Sequence, residues 1–171
     1  LRRLEDKGAV SAVTVCQNGQ TYDLPARHVV LALGHSARDT FEMLYQAGLA
    51  MVPKPFAMGV RIEHRQSAID AAQYRSLAGH PALPPSTYKL SCHLPNGRSA
   101  FSFCVCPGGQ VVAAASETGQ VVTNGMSYAD RDGENANAAL LVTVNPADFP
   151  YEGNLGGMRW QREIEGNAYR V

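Results

Sequence analysis

Between residues 9 and 33 apolar and polar positions alternate, pause at Asn18-Gly19, and alternate again. An Asn-Gly pair between two such runs predicts a β-hairpin, because both central turn residues must take a positive φ. Pro25 interrupts the second run, and "HVVLAL" at 28–33 follows as an almost unbroken apolar segment. Such a segment predicts a strand buried on both faces, as in a parallel sheet covered by helices. From Ser36 the period lengthens, with Ala37, Phe41, Leu44, Tyr45 and Gly48 at helical spacing. Ser36 and Asp39 fit the S-x-x-D helix start, and Gly48 suits the stop. Ahead of the hairpin, "LRRLEDKG" reads as the tail of a helix closed by Gly8.

Pro53 and Pro55 mark a crossing, after which "AMGVRIEH" predicts a strand and "QSAIDAAQYRSLAG" a short helix. The proline-rich "HPALPP" connects to a block from 86 to 128, with turn signals at Asn96-Gly97, Pro107-Gly108-Gly109 and Asn124-Gly125. About four antiparallel strands are expected there. Strict alternation would put Phe101, Phe103 and Val105 on one strand face and Ser102, Cys104 and Cys106 on the other. "ADRDGENANA" reads as a polar loop or helix start, "ALLVTV" as a strand, and the end of the chain as a helix with Trp160, Ile164 and Ala168 in register.

Composition narrows the field. The 171 residues are 45% hydrophobic, enough for one domain with a core or one and a half lobes. Fifteen basic and fifteen acidic side chains cancel, so the basic excess of a nucleic-acid binder is missing and no nucleic-acid partner is expected. No apolar run approaches the roughly 18 residues of a membrane span, so no membrane partner is expected either. Four cysteines and no signal-peptide pattern suggest reduced thiols and a cytoplasmic location. The chain opens on Leu1 and closes without a polar tail, as an excised piece of a longer protein would.

Candidate chemistry is sparse. Cys92-His93 and Cys104-x-Cys106 offer four soft or borderline ligands, but a one-residue gap departs from the C-x₂₋₄-C spacing of zinc sites. Zinc and a redox cysteine pair both rank below buried, packed thiols, and no metal is expected. "DRDGEN" fails as a calcium loop, since Gly133 falls fourth and Leu141 twelfth counting from Asp130. His35, His64, His80 and His93 lack the partner pattern of a Ser–His–Asp triad, and Arg61 with Glu63 reads as a surface pair on one strand face. No catalytic residue can be named. Ser127, Tyr128, Arg131, Asn135 and Asn137 crowd one polar stretch and are the candidate substrate contacts, able to hold an anionic substrate or a planar ring edge. A glycine that ends a buried strand and opens a helix is either an ordinary tight turn or a place where backbone N–H groups meet a ligand, and the second reading marks Ala32, Gly34, His35 and Ser36.

A hairpin followed by "VVLALG" resembles the second flavin-contacting segment of flavoproteins with a glutathione-reductase type of FAD domain. More closely, "LALGHSARDTF", "MGVRIEH", "CPGGQVV" and "VTNGMSYADRDGENANAAL" resemble, in order, an uncharacterised family of predicted FAD-dependent dehydrogenases over residues 28 to 171. The resemblance implies an α+β or α/β chain, with a partial FAD-binding lobe (1–52), an inserted, mainly antiparallel substrate domain (53–146) and a return helix (147–171). It implies a flavin oxidoreductase in which Ala32, Gly34, His35 and Ser36 touch FAD, acting on a small molecule and with a nicotinamide nucleotide as a possible electron partner. The chain departs from the family in having Arg65, not proline, after "GVRIEH". It contains no G-x-G-x-x-G, so the chain alone is expected to lack the pyrophosphate cradle. The competing expectation is a non-enzymatic α+β module that binds a small molecule or a protein.

Overall fold

In the computed structural model, which describes residues 2–6 and 9–171 and side chains from residue 9 onward, the Asn18-Gly19 hairpin forms as expected. Asn18 and Gly19 take φ values of 52° and 77°, and Gln17 pairs with Gln20 across the turn. The strands it joins are β2 (Ala9–Gln17) and β3 (Gln20–Pro25), and β1 (Arg2–Asp6) pairs antiparallel with the outer side of β2. Residues 2–6 are therefore a strand, not the tail of a helix, because β2 offers them a free edge. The cap expected at Gly8 lies outside the described residues.

The apolar segment 28–33 forms no strand within this chain. Val30 is 89% exposed, and Val29, Leu31 and Leu33 are exposed as well. A central strand needs a hydrogen-bonded neighbour on each side, and no described strand pairs with this one. The helix α1 begins at Arg38, two residues after the expected start, with Ala37 at the N-cap position and no side-chain cap. Ser36 Oγ instead lies 3.4 Å from His35 Nε2, and Asp39 Oδ1 accepts from the Thr40 N–H. Gly48 ends the helix as expected, where the Leu49 N–H reaches back to the Leu44 carbonyl.

Residues 1–51 make one compact unit and 52–171 a second. The second unit is built on a four-stranded antiparallel sheet of β4 (Phe56–Arg65), β9 (Asn135–Val144), β6 (Ser99–Cys106) and β5 (Ser91–His93), in that order. The central strand β9 starts at Asn135, so the stretch expected to be a loop or helix start becomes strand earlier than its composition suggests. Ala136, Ala138 and Ala139 are buried there. Small side chains keep this part of the sheet thin, and both faces are covered there, while Val60 and Leu140 further along stay exposed. One face carries the helix α2 (Gln66–Tyr74), and the other carries a separate hairpin of β7 (Gly109–Ala113) and β8 (Thr123–Ser127).

Asn124-Gly125 sits inside β8 and makes no turn. Gly125 pairs with Val111, and a Cβ there would overlap Asn137 Oδ1 and Arg61 Nη1 and come within 2.8 Å of Cys106 Sγ. The glycine is present for close packing, which a dipeptide turn signal cannot reveal. The four expected strands exist, but they divide between two sheets.

Two internal networks lock the unit. Gln66 accepts from the Gly108 N–H at 2.9 Å and donates to the Ser86 carbonyl and to Asp70. Asp70 also accepts from the Ser86 N–H and hydroxyl at 2.8 and 2.7 Å. At the other end Phe56 stacks on Phe149 and both meet Trp160 at a tilt, with ring centroids 5.3 to 6.3 Å apart. That cluster seats the helix α3 (Gly156–Tyr169), whose Gly157 lets the Phe149 ring approach. The architecture is α+β, with antiparallel sheets and, among the described residues, three α-helices.

Candidate functional site

The two faces of the four-stranded sheet hold different chemistry, because residues alternate sides along β4. Ile62 and His64 point to the α2 side, with Ala138 and Leu140 from β9 in register beside them. Together with Ile69 and Ala72 of α2, they line an open pocket of about 390 Å³, within the range of small-molecule sites. Its walls are almost wholly apolar, and the main polar feature is a pair. His64 Nε2 and the Tyr88 hydroxyl share a 2.7 Å hydrogen bond, and His64 Nδ1 is buried without a partner. Burial raises the Tyr88 pKa above its ordinary value, keeping the phenol protonated and a competent donor at neutral pH.

Arg61 and Glu63 lie on the opposite face and do not pair with each other. Arg61 Nη1 donates to Asn137 Oδ1 at 2.7 Å and to the Cys104 carbonyl at 3.2 Å. Glu63 accepts from the Val111 N–H at 3.0 Å and from Asn135 Nδ2 at 2.7 Å, so it clamps the β7–β8 hairpin to β9. The surface ion pair expected from the sequence is replaced by two anchors, because the hairpin covers this face. Between Glu63, Gly108, Gly109, Tyr128, Gly133 and Glu134 lies a more polar cleft of about 240 Å³.

Of the candidate substrate contacts, Tyr128 and Asn135 line that cleft. Ser127 donates to the Pro107 carbonyl at 2.7 Å, and Asn137 is fully buried under Arg61. Arg131 is exposed, and its carbonyl packs against Gly108, where a Cβ would overlap it. In the first unit Ala32, Gly34 and His35 are exposed, and Ser36 is half-buried. Gly34 takes a φ of 72°, and a Cβ there would meet nothing within 4 Å. The backbone at this turn is open to an approaching group.

Sequence reasoning missed the His64–Tyr88 pair. The partners stand 24 residues apart in segments of different structure, and neither belongs to a spaced motif. It also misjudged the cysteines. Cys104 is exposed and Cys106 half-buried, not packed away as expected. Among the described residues no three His, Cys, Asp or Glu side chains gather as metal ligands would, and no helix is long and apolar enough to cross a membrane.

Residues 55–171 match the model of a family described as FAD-dependent protein, C-terminal domain-like. The sequence is also similar to an uncharacterized protein of Clostridium beijerinckii, with 48% identity over 165 residues, or 96% of this chain. The chain spans 30% of that relative's length.

Proposed function

The chain belongs to the family of FAD-dependent proteins with this C-terminal-like domain, and from that premise we propose that it is part of a flavin oxidoreductase acting on a small molecule. Residues 28–36 are the segment we assign to the cofactor, and the apolar cavity of the second unit is the one we assign to the substrate. FAD would supply the two-electron chemistry, while the chain supplies binding and orientation. What supports the first assignment is the turn at 33–36, where Gly34 takes a positive φ and a Cβ on it would meet nothing within 4 Å. Gly34, Ala32, His35 and Ser36 would hold the dinucleotide there through backbone and small polar groups.

The observation that carries the substrate assignment is the buried, unpartnered His64 Nδ1 beside an apolar cavity. A buried polar atom without a partner costs about 1–3 kcal/mol, which an occupant with a hydroxyl to donate would relieve. Such an occupant would place its body against Ile62, Ile69 and Leu140 and its polar group at the His64–Tyr88 pair. Tyr88 can donate a proton toward a substrate oxygen and His64 can hold Tyr88 in position. A second reading puts the substrate in the polar cleft at Tyr128 and Asn135, with Ser127, Arg131 and Asn137 shaping it; Glu134 is ion-paired with Arg65 there, and the cleft offers hydrogen bonds to a polar molecule.

Two measurements test this. In the whole protein, Gly34→Asn keeps a left-handed backbone that asparagine tolerates, and this chain leaves the new side chain room. The ratio of flavin to protein absorbance should fall below half its normal value, with Thr40→Ala as an unaffected control. Titrating the protein with phenol should shift the His64 ring resonances, and Tyr88→Phe should weaken that response. Full flavin in Gly34→Asn would remove the cofactor assignment, and a silent His64 would remove the cavity.

A further inference from the structure

The strand β6 does not stay regular at the cysteines. Phe103 pairs with Ala139 and Cys106 with Asn137, so three steps along β6 face two along β9. The extra residue makes a β-bulge, and Cys104 takes a φ of 51°, a left-handed conformation rare for a residue with a side chain. In a regular strand, residues i and i+2 are about 6.6–6.8 Å apart, at the outer limit of what a disulfide spans. A left-handed residue at a bulge re-aims its own side chain and carbonyl out of the strand's regular alternation. Here the Cys106 thiol reaches the Cys104 carbonyl at 3.5 Å. The guanidinium of Arg61 also holds the Cys104 carbonyl and has no carboxylate partner among the described residues. Both Arg61 Nη1 and Cys106 Sγ crowd the same face of Gly125.

We propose that Cys104 and Cys106 form a reversible dithiol–disulfide couple that exchanges electrons with a low-molecular-weight disulfide, with Arg61 as its positioning residue. Three features carry it: an exposed thiol, a neighbouring half-buried thiol on a strained bulge, and a cation that no carboxylate neutralises. Reactive cysteines occupy partly exposed, electropositive surroundings of this kind, whereas structural ones are inert and packed away. Non-glycine residues held in the left-handed region also concentrate where strain serves a function.

The step balances as follows. The exposed Cys104 thiolate attacks one sulfur of the incoming disulfide, an S–S bond forms to Cys104, and one external thiolate leaves. Cys106, as thiolate, then attacks the Cys104 sulfur, closes the C-x-C disulfide and expels the second external thiolate. The two cysteine protons end on the two released thiols. The pair is oxidised by two electrons and the external disulfide is reduced by the same two. Burial and the adjacent Cys104 push the Cys106 thiol's pKa up, while Arg61 opposes both, so Arg61 sets how readily the second step begins. This couple stands whether or not the flavin reading holds.

The test uses the purified chain equilibrated in mixtures of reduced and oxidised glutathione, quenched with acid and alkylated with N-ethylmaleimide. Trypsin releases residues 99–131 as one peptide carrying both cysteines. Its expected forms are the doubly alkylated peptide in reducing mixtures and the peptide lighter by two hydrogens in oxidising ones, while Cys16 and Cys92 stay alkylatable. Cys106→Ser should accumulate a glutathione adduct on Cys104. Arg61→Gln should slow disulfide closure roughly tenfold at neutral pH and move its pH profile upward, the equivalent of about one pKa unit, and Arg61→Lys should restore part of the rate. Two alkylated thiols in every mixture, or a glutathione adduct that persists in the wild-type chain, would overturn the proposal. An unchanged pH profile in a folded Arg61→Gln would remove Arg61 from it.

Discussion

Gly125 shows how one residue takes its meaning from distant neighbours. Its missing side chain is the space in which Arg61, Asn137 and Cys106 meet. Gly125→Ala should therefore destabilise the second unit by about 1–3 kcal/mol through overpacking, read as a lower urea midpoint with an unchanged slope. Asp70 is legible only after folding too. Burial works to raise its pKa, but the N–H and hydroxyl of Ser86 and the Gln66 amide outweigh it and hold the carboxyl below its ordinary 3.8. A depressed folded pKa means its contribution is fully present above pH 3.8 and is lost as pH falls through the lower, folded value. Asp70→Asn should be less stable than the wild type at neutral pH, and the gap between their urea midpoints should narrow below pH 3.8. A constant gap would show that the Ser86 and Gln66 bonds do not favour the charged form. The residues legible in advance were those whose role is local: Asn18-Gly19 needs only its own backbone, and Gly48 only the helix before it.

At the scale of elements, periodicity located β2, β4, α2, β6 and α3 closely, because their apolar spacing records the face that packs, while the Asn18-Gly19 turn located β3, whose residues are all exposed. It failed where an element depends on partners. The segment 28–33 has the composition of a central strand and, within this chain, none of the neighbours that would make it one. Its amides therefore lack the ladder that protects β9 from both sides. Hydrogen exchange on the chain should find 28–33 exchanging at least a hundredfold faster than 136–142, a difference of about 2.7 kcal/mol in opening free energy. Equal protection in both segments would mean that 28–33 pairs in solution. The bulge in β6 is a second case. Alternation put Cys104 and Cys106 on one strand face as packed thiols, and the bulge between Phe103 and Cys106 leaves one exposed and the other half-buried.

For the whole molecule, the family assignment and the two units lead to a divided role, with cofactor contact proposed for the first unit and substrate for the second. The chain carries no G-x-G-x-x-G loop, the element that supplies much of dinucleotide affinity. The purified chain should accordingly emerge colourless from gel filtration, with no stoichiometric flavin absorbance. A yellow chain would show that residues 28–36 suffice, and the non-enzymatic binding module would gain if the whole protein were colourless as well. By itself the sequence narrowed the class to α+β or α/β and determined the hairpin at Asn18-Gly19, the strand at 57–64, the closing helix and the likeness to FAD-dependent proteins. Each is written in short-range periods, turn residues or motifs that a chain carries wherever its partners lie. Only the tertiary structure decided that His64 meets Tyr88, that Arg61 abandons Glu63 for Asn137 and Cys104, and that Gly125 packs instead of turning. These depend on which strands become neighbours and in what register, and register is set by the packing of whole faces against each other.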